Sequence, residues 1–111
     1  MVIDIYLLEY FVAFNEEGSL LKASEKLHIS QPSLTRAMQK LELELGLNIF
    51  NRSANKISLN ENGKALIDYA RDIIALNNLL IKKAKELNEK ELLIHISMTA
   101  PGILYYYPYF F

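Results

Sequence analysis

The steps Leu66, Ala70, Ile73, Asn77, Leu80, Ala84 and Leu87 alternate between four and three residues, a heptad seam sustained for three repeats. A second stripe, Ile67, Ile74 and Ile81, lies beside it. Asn60 is placed to cap this helix, and no proline interrupts the chain from there to Lys90. At 1.5 Å per residue such a helix is roughly 40 Å long. Two apolar stripes of that length cannot both be buried against the residues that precede them. The spacing therefore predicts a linker helix over 60–90 that pairs with another chain. The small Ala70 and Ala84 allow close approach. Asn77 either fixes the register of the pair or is tolerated near the surface. An ordinary core face is the competing reading of this seam.

The preceding residues read as short, well-punctuated helices. Leu8, Phe11, Val12 and Phe14 recur at helical spacing between Asp4 and Glu17, and Gly18 ends the run. Ser19 caps a second helix with apolar positions Leu20, Leu21, Ala23 and Leu27, and His28-Ile29 makes a brief turn. Ser30 caps a third, with Pro32 in the first turn, where a missing N–H costs little, and Gly46 as the stop after Leu45. At 100° per residue, Leu34, Met38, Leu41 and Leu45 fall within about 40° of one another and form the inward stripe. Pro32, Arg36 and Gln39 lie opposite, flanked by Ser33, Thr35 and Lys40, with no acid before Glu42.

Between Asn48 and Leu59 the texture changes. Ile49-Phe50 and Lys56-Ile57-Ser58-Leu59 read as two short strands around residues 51–55, a small β-wing. Helix, short helix, tight turn and a helix with a polar, basic outer face make the helix-turn-helix plan. The major groove of double-stranded DNA admits one helix. A reader needs side chains that fork onto base edges, as Arg36 can onto guanine and Gln31 or Gln39 onto adenine, and small groups such as Pro32 and Thr35 for the thymine methyl. The amides at the start of the same helix suit a phosphate, and Arg52 and Lys56 in the wing can straddle the next ones. Arg36 and Lys40 alone would be ordinary solvated cations. It is their combination with the Ser-Gln-Pro opening, the first helix and the wing that points to DNA.

The same residues carry a family resemblance. The string Leu8-Glu9-Tyr10-Phe11-Val12-Ala13-Phe14-Asn15-Glu16-Glu17-Gly18-Ser19 resembles the first-helix signature of LysR-type transcriptional regulators. So does Leu27-His28-Ile29-Ser30-Gln31-Pro32-Ser33-Leu34-Thr35-Arg36, followed by Leu41-Glu42, Leu45-Gly46, Phe50, Arg52, Leu59 and Gly63. Three positions depart from the pattern: Ser24 for a usual alanine, Asn60 for a usual threonine cap, and Asn55 where a basic wing residue is common, with Lys56 following it. The resemblance implies a winged helix-turn-helix over 1–59 and a linker helix over 60–90 that pairs two subunits antiparallel. Beyond these it implies a two-lobed effector-binding domain, of which 91–111 would hold only the start. Residues 92–97 resemble that domain's first strand. A small-molecule effector would then bind only a full-length form.

Other classes are excluded on composition and spacing. Cysteine is absent, which removes disulfides, thiolate metal sites and Cys nucleophiles together. His28 and His95 are the two histidines, and neither falls in a triad, metal-ligand or phosphate-loop pattern, so neither catalysis nor a cofactor or metal is expected. The charge balance of 12 Lys+Arg against 13 Asp+Glu argues neither for nor against a polyanion, because a local basic stripe suffices. No run reaches the roughly 18 apolar residues of a membrane span, and the N-terminus has no signal-peptide pattern. A cytoplasmic, non-enzymatic protein is expected. One strand followed by an aromatic tail over 103–111 cannot stand alone, so the tail either packs on a partner or opens a larger domain.

The fold class expected is therefore mainly α, a winged helix-turn-helix followed by a long dimerisation helix. The function expected is sequence-specific regulation from a two-fold-related operator, as a homodimer or a tetramer. The DNA-facing set is Ser30, Gln31, Pro32, Ser33, Thr35, Arg36, Gln39, Lys40, Arg52, Asn55 and Lys56. Two other readings compete. One is a different winged-helix regulator, of MarR or molybdate-regulator type, which would lack this Ser-Gln-Pro opening. The other is an interaction module that forms inactive heterodimers with a full-length regulator.

Overall fold

Local capping chemistry divides the first half of the chain into three helices, seen in a computed structural model that describes residues 2–53 and 56–98. Helix α1, Ile5–Glu17, ends at Gly18, whose positive φ lets its N–H donate to the Phe14 carbonyl at 2.9 Å. The Ser19 hydroxyl accepts the Lys22 N–H at 3.1 Å and opens α2, Leu20–Leu27. This helix closes at His28, which takes φ 58° and is the one non-glycine at positive φ among the described residues. Ser30 caps α3, Gln31–Leu45, by accepting the Ser33 N–H at 3.2 Å, and Gly46 ends it in the left-handed region.

The wing follows as β1, Phe50–Ser53, and β2, Lys56–Leu59, antiparallel, with Phe50 opposite Leu59 and Ser53 opposite Lys56. Ile49 falls just outside β1. It is fully buried, and its carbonyl accepts the Asn60 N–H at 3.0 Å. Asn60 caps α4, Glu61–Met98, its Oδ1 accepting the Gly63 N–H at 2.9 Å.

The core is built from Leu7, Leu8, Phe11 and Phe14 of α1, Leu34, Ala37, Met38 and Leu41 of α3, Ile49, Phe50, and Ile67 and Ala70 of α4. Each fully buried large side chain contributes about 1.5–3 kcal/mol. Phe50 ties the wing to α1, its ring standing edge-on to Phe11 at 6.0 Å and Phe14 at 5.2 Å. Along α2 the expected apolar set changes. Leu21 is exposed, whereas Ala23 and Ser24 are buried, and the Ser24 hydroxyl donates to the Leu21 carbonyl at 2.8 Å.

The described residues divide into two units, one running to Ala75 and the other beginning at Leu76. Ile67 and Ala70 lie in the core and Ile74 packs against it, which carries the first unit past the wing into α4. In the second, residues 76–98 are helical, and Leu76, Leu79, Leu80, Ile81 and Leu87 are exposed. The strand expected over 92–97 is not formed: α4 continues through it to Met98, 38 residues in all. A lone strand would leave its backbone unpaired, whereas continuing the helix pairs each N–H with the carbonyl four residues back, and Pro101-Gly102 comes only later. The aromatic tail over 103–111 lies outside the described residues. No described helix is long and apolar enough to cross a membrane.

Candidate nucleic-acid interface

Packing α3 through Leu34, Ala37, Met38 and Leu41 leaves its other face outward. Ser30, Gln31, Pro32, Arg36, Gln39 and Lys40 are exposed, and Ser33 and Thr35 are half-buried. The first turn is linked internally. The Ser30 hydroxyl donates to Ser33 Oγ at 2.8 Å, and Arg36 Nη2 donates to the same oxygen at 3.3 Å, so the guanidinium lies back towards the helix start. Lys40 is drawn towards α1, with Nζ 3.9 Å from the Asp4 carboxylate and 6.0 Å from the centre of the Tyr6 ring. Between α1 and α3 lies a cleft of about 300 Å³ lined by Tyr6, Tyr10, Ile29, Ser33, Arg36, Ala37 and Lys40. Tyr6 and Tyr10 stand edge-to-face at 5.3 Å and were not among the expected site residues. Their four-residue spacing on α1 was the available signal.

Arg52 is committed more firmly than the sequence suggested. Its Nη2 lies 2.6 Å from Glu42 Oε1, and its guanidinium sits 5.8 Å from the centre of the Phe50 ring. Glu42 Oε2 accepts the Ile49 N–H at 2.8 Å. Glu42 is only 7% exposed, a buried carboxylate with both oxygens engaged, although helical spacing alone places it at the edge of the outward face. Lys56 is exposed. A cleft of about 520 Å³ between the turn before α2 and the wing is lined by Gly18, Ser19, Leu20, Arg52, Ser53, Lys56 and Ile57. Asn55 lies outside the described residues.

The expected pairing seam divides by position. In the first unit Ala70 is a core residue, Leu66 is half-buried against that core, and Ile73 is exposed. In the second, Leu80, Ala84 and Leu87 are exposed and Asn77 is half-buried. The second stripe begins in the core, at Ile67, with Ile74 packed against it, and Ile81 is exposed. No group of three or more His, Asp or Glu side chains that could hold a metal occurs among the described residues. His28 is exposed at its turn, and His95 falls within α4.

A three-helix reader with a two-stranded wing, its reading helix presenting a polar face without acids, is the architecture of a winged helix-turn-helix regulator. Residues 5–64 match the family of bacterial regulatory helix-turn-helix proteins of lysR type, and the chain belongs to that family. It is 41% identical over 83 residues to the uncharacterized HTH-type transcriptional regulator YcgK of Bacillus subtilis, covering 75% of this chain and 26% of YcgK. To the HTH-type transcriptional regulator TfdT of Cupriavidus pinatubonensis it is 44% identical over 73 residues, 66% of this chain and 32% of TfdT. The chain thus spans a quarter to a third of the length of these curated relatives. Among solved structures, the DBD–DNA complex of CbnR, a LysR family regulator, superposes with a TM-score of 0.72 at 35% identity over 77% of this chain and 98% of that one.

Proposed function

We propose that this chain is the DNA-reading and pairing part of a LysR-type transcriptional regulator, binding double-stranded DNA sequence-specifically as a homodimer or a higher oligomer. The carrying observation is the outward face of α3. Gln31, Pro32, Arg36 and Gln39 are exposed on a helix anchored by four core residues, and α3 carries no acid before Glu42, which is buried. This is the chemistry that base edges require. Ser30, Ser33 and Thr35 complete the leading turns, and Lys40 and the wing's Lys56 supply phosphate contacts. The likeness to the CbnR DBD–DNA complex supports the same orientation.

Pairing falls to the free part of the seam, Ile73, Asn77, Leu80, Ala84 and Leu87, in a cytoplasmic, non-enzymatic protein. An effector-binding function belongs to the remaining length that the relatives have. Gel shift of the chain on duplexes selected from a random pool tests the reading. A selected, two-fold-related sequence bound in preference to random duplex is the expected result. Absence of any sequence preference would favour the interaction-module reading instead.

A further inference from the structure

Glu42 is a buried charge that reading DNA does not call for. It stands on α3, with one carboxylate oxygen on the Ile49 N–H at 2.8 Å and the other on Arg52 Nη2 at 2.6 Å. The Glu42 side chain is 8% exposed and that of Arg52 41%. Arg52 belongs to β1, and its guanidinium also lies over Phe50, the ring that fixes the wing to Phe11 and Phe14. One carboxylate therefore spans the reading helix, the segment entering the wing, and the wing itself.

Handing Arg52 to a phosphate would leave that carboxylate buried and unpaired, which is the costly way to break such a pair. A contact to a solvated phosphate returns less, because water and salt screen it. The Ile49 N–H satisfies only one of the two oxygens, so it cannot replace the cation.

We infer that Glu42 and Arg52 form a charge-neutral clasp that sets the wing's position against α3, and that Arg52 is a positioning residue whose charge is withheld from the DNA backbone. The inference rests on the DNA-binding reading above and refines it: the wing's phosphate contact is made by Lys56, and Arg52 holds the strand that carries the turn.

Salt titration of DNA binding tests this, using the whole chain, a duplex selected by the wild type from a random pool, and the variants Glu42→Gln and Glu42→Gln/Arg52→Gln. Loss of all sequence preference in the wild type would overturn the DNA-binding reading itself and is seen before any variant is compared. Given wild-type binding, the double variant should keep the wild-type log–log salt slope even where affinity falls. Glu42→Gln alone, which frees Arg52, should steepen the slope by about 0.9 for each Arg52 that engages a phosphate. A double variant shallower by about 0.9 per subunit, with the single variant unchanged, would overturn the clasp. Should either variant unfold, the guanidinium NMR signal of wild-type Arg52 decides as duplex is added. Persistence of its hydrogen bond to Glu42 supports the inference, and replacement of that bond overturns it.

Discussion

The backbone of Gly63, in the first turn of α4, lies directly against the carbonyl oxygen of Ile49. A Cβ at this glycine would fall inside contact distance of that oxygen and 3.2 Å from the Leu59 Cβ. The same carbonyl accepts the Asn60 N–H, so the wing's two ends and the start of α4 are joined through one peptide group. Gly63→Ala should cost about 1–3 kcal/mol of stability through overpacking, even though alanine is the better helix former by about 1 kcal/mol. Thermal unfolding measures it, and a raised midpoint would show that the approach relaxes freely.

Arg36 stands on the exposed face one turn after the start of α3, with Ser33 holding its guanidinium towards the helix start. Arg36→Ala should weaken binding to the selected duplex by about 1–3 kcal/mol and relax preference at one position per half-site. A site-selection experiment with the variant checks both. Unchanged affinity together with an unchanged selected sequence would remove Arg36 from the reading set.

Lys56 is an exposed cation of the wing, at the start of β2. Lys56→Ala should make the salt slope of a dimer shallower by about 1.8 if both copies engage phosphate, and leave the selected sequence as it was. Binding isotherms at several salt concentrations give the slope. A changed preference at constant slope would mean that the wing reads bases.

Ile67 and Leu80 belong to the two apolar stripes of α4 and have opposite surroundings, 7% and 69% exposed. Truncating Ile67 to Ala should destabilise the winged unit by about 2–5 kcal/mol. Leu80→Asp should leave that unit folded and give a monomer at micromolar concentration with most operator affinity lost. Sedimentation and thermal unfolding, run on both variants, separate the effects. A Leu80→Asp dimer as stable as the wild type would move the subunit contact to another face.

Elements whose ends are set by adjacent chemistry were legible in the sequence. Ser19 and Ser30 cap, Gly18 and Gly46 stop, and Pro32 is tolerated, each through groups within a few residues. The outward position of Arg36 and Gln39 followed from helical geometry once Leu34 and Leu41 were placed inward. Glu42 was not legible, because its partners are seven and ten residues away and only packing turns it inward. For the same reason Arg52 reads as a free cation, although Glu42 holds it. Residues 92–97 misled in the other direction: their β-branched and apolar texture suits a strand, but a strand forms only with a neighbour to pair with.

The two faces of α3 share almost no residues. Leu34, Ala37, Met38 and Leu41 hold the helix in place, and Gln31, Pro32, Arg36 and Gln39 touch little of the core. Substitutions at exposed positions of this kind usually change stability by less than about 0.5 kcal/mol. After a gene duplication, the outward set can therefore drift towards a new operator without passing through unfolded intermediates, and a descendant can acquire a new address while inheriting its scaffold unchanged.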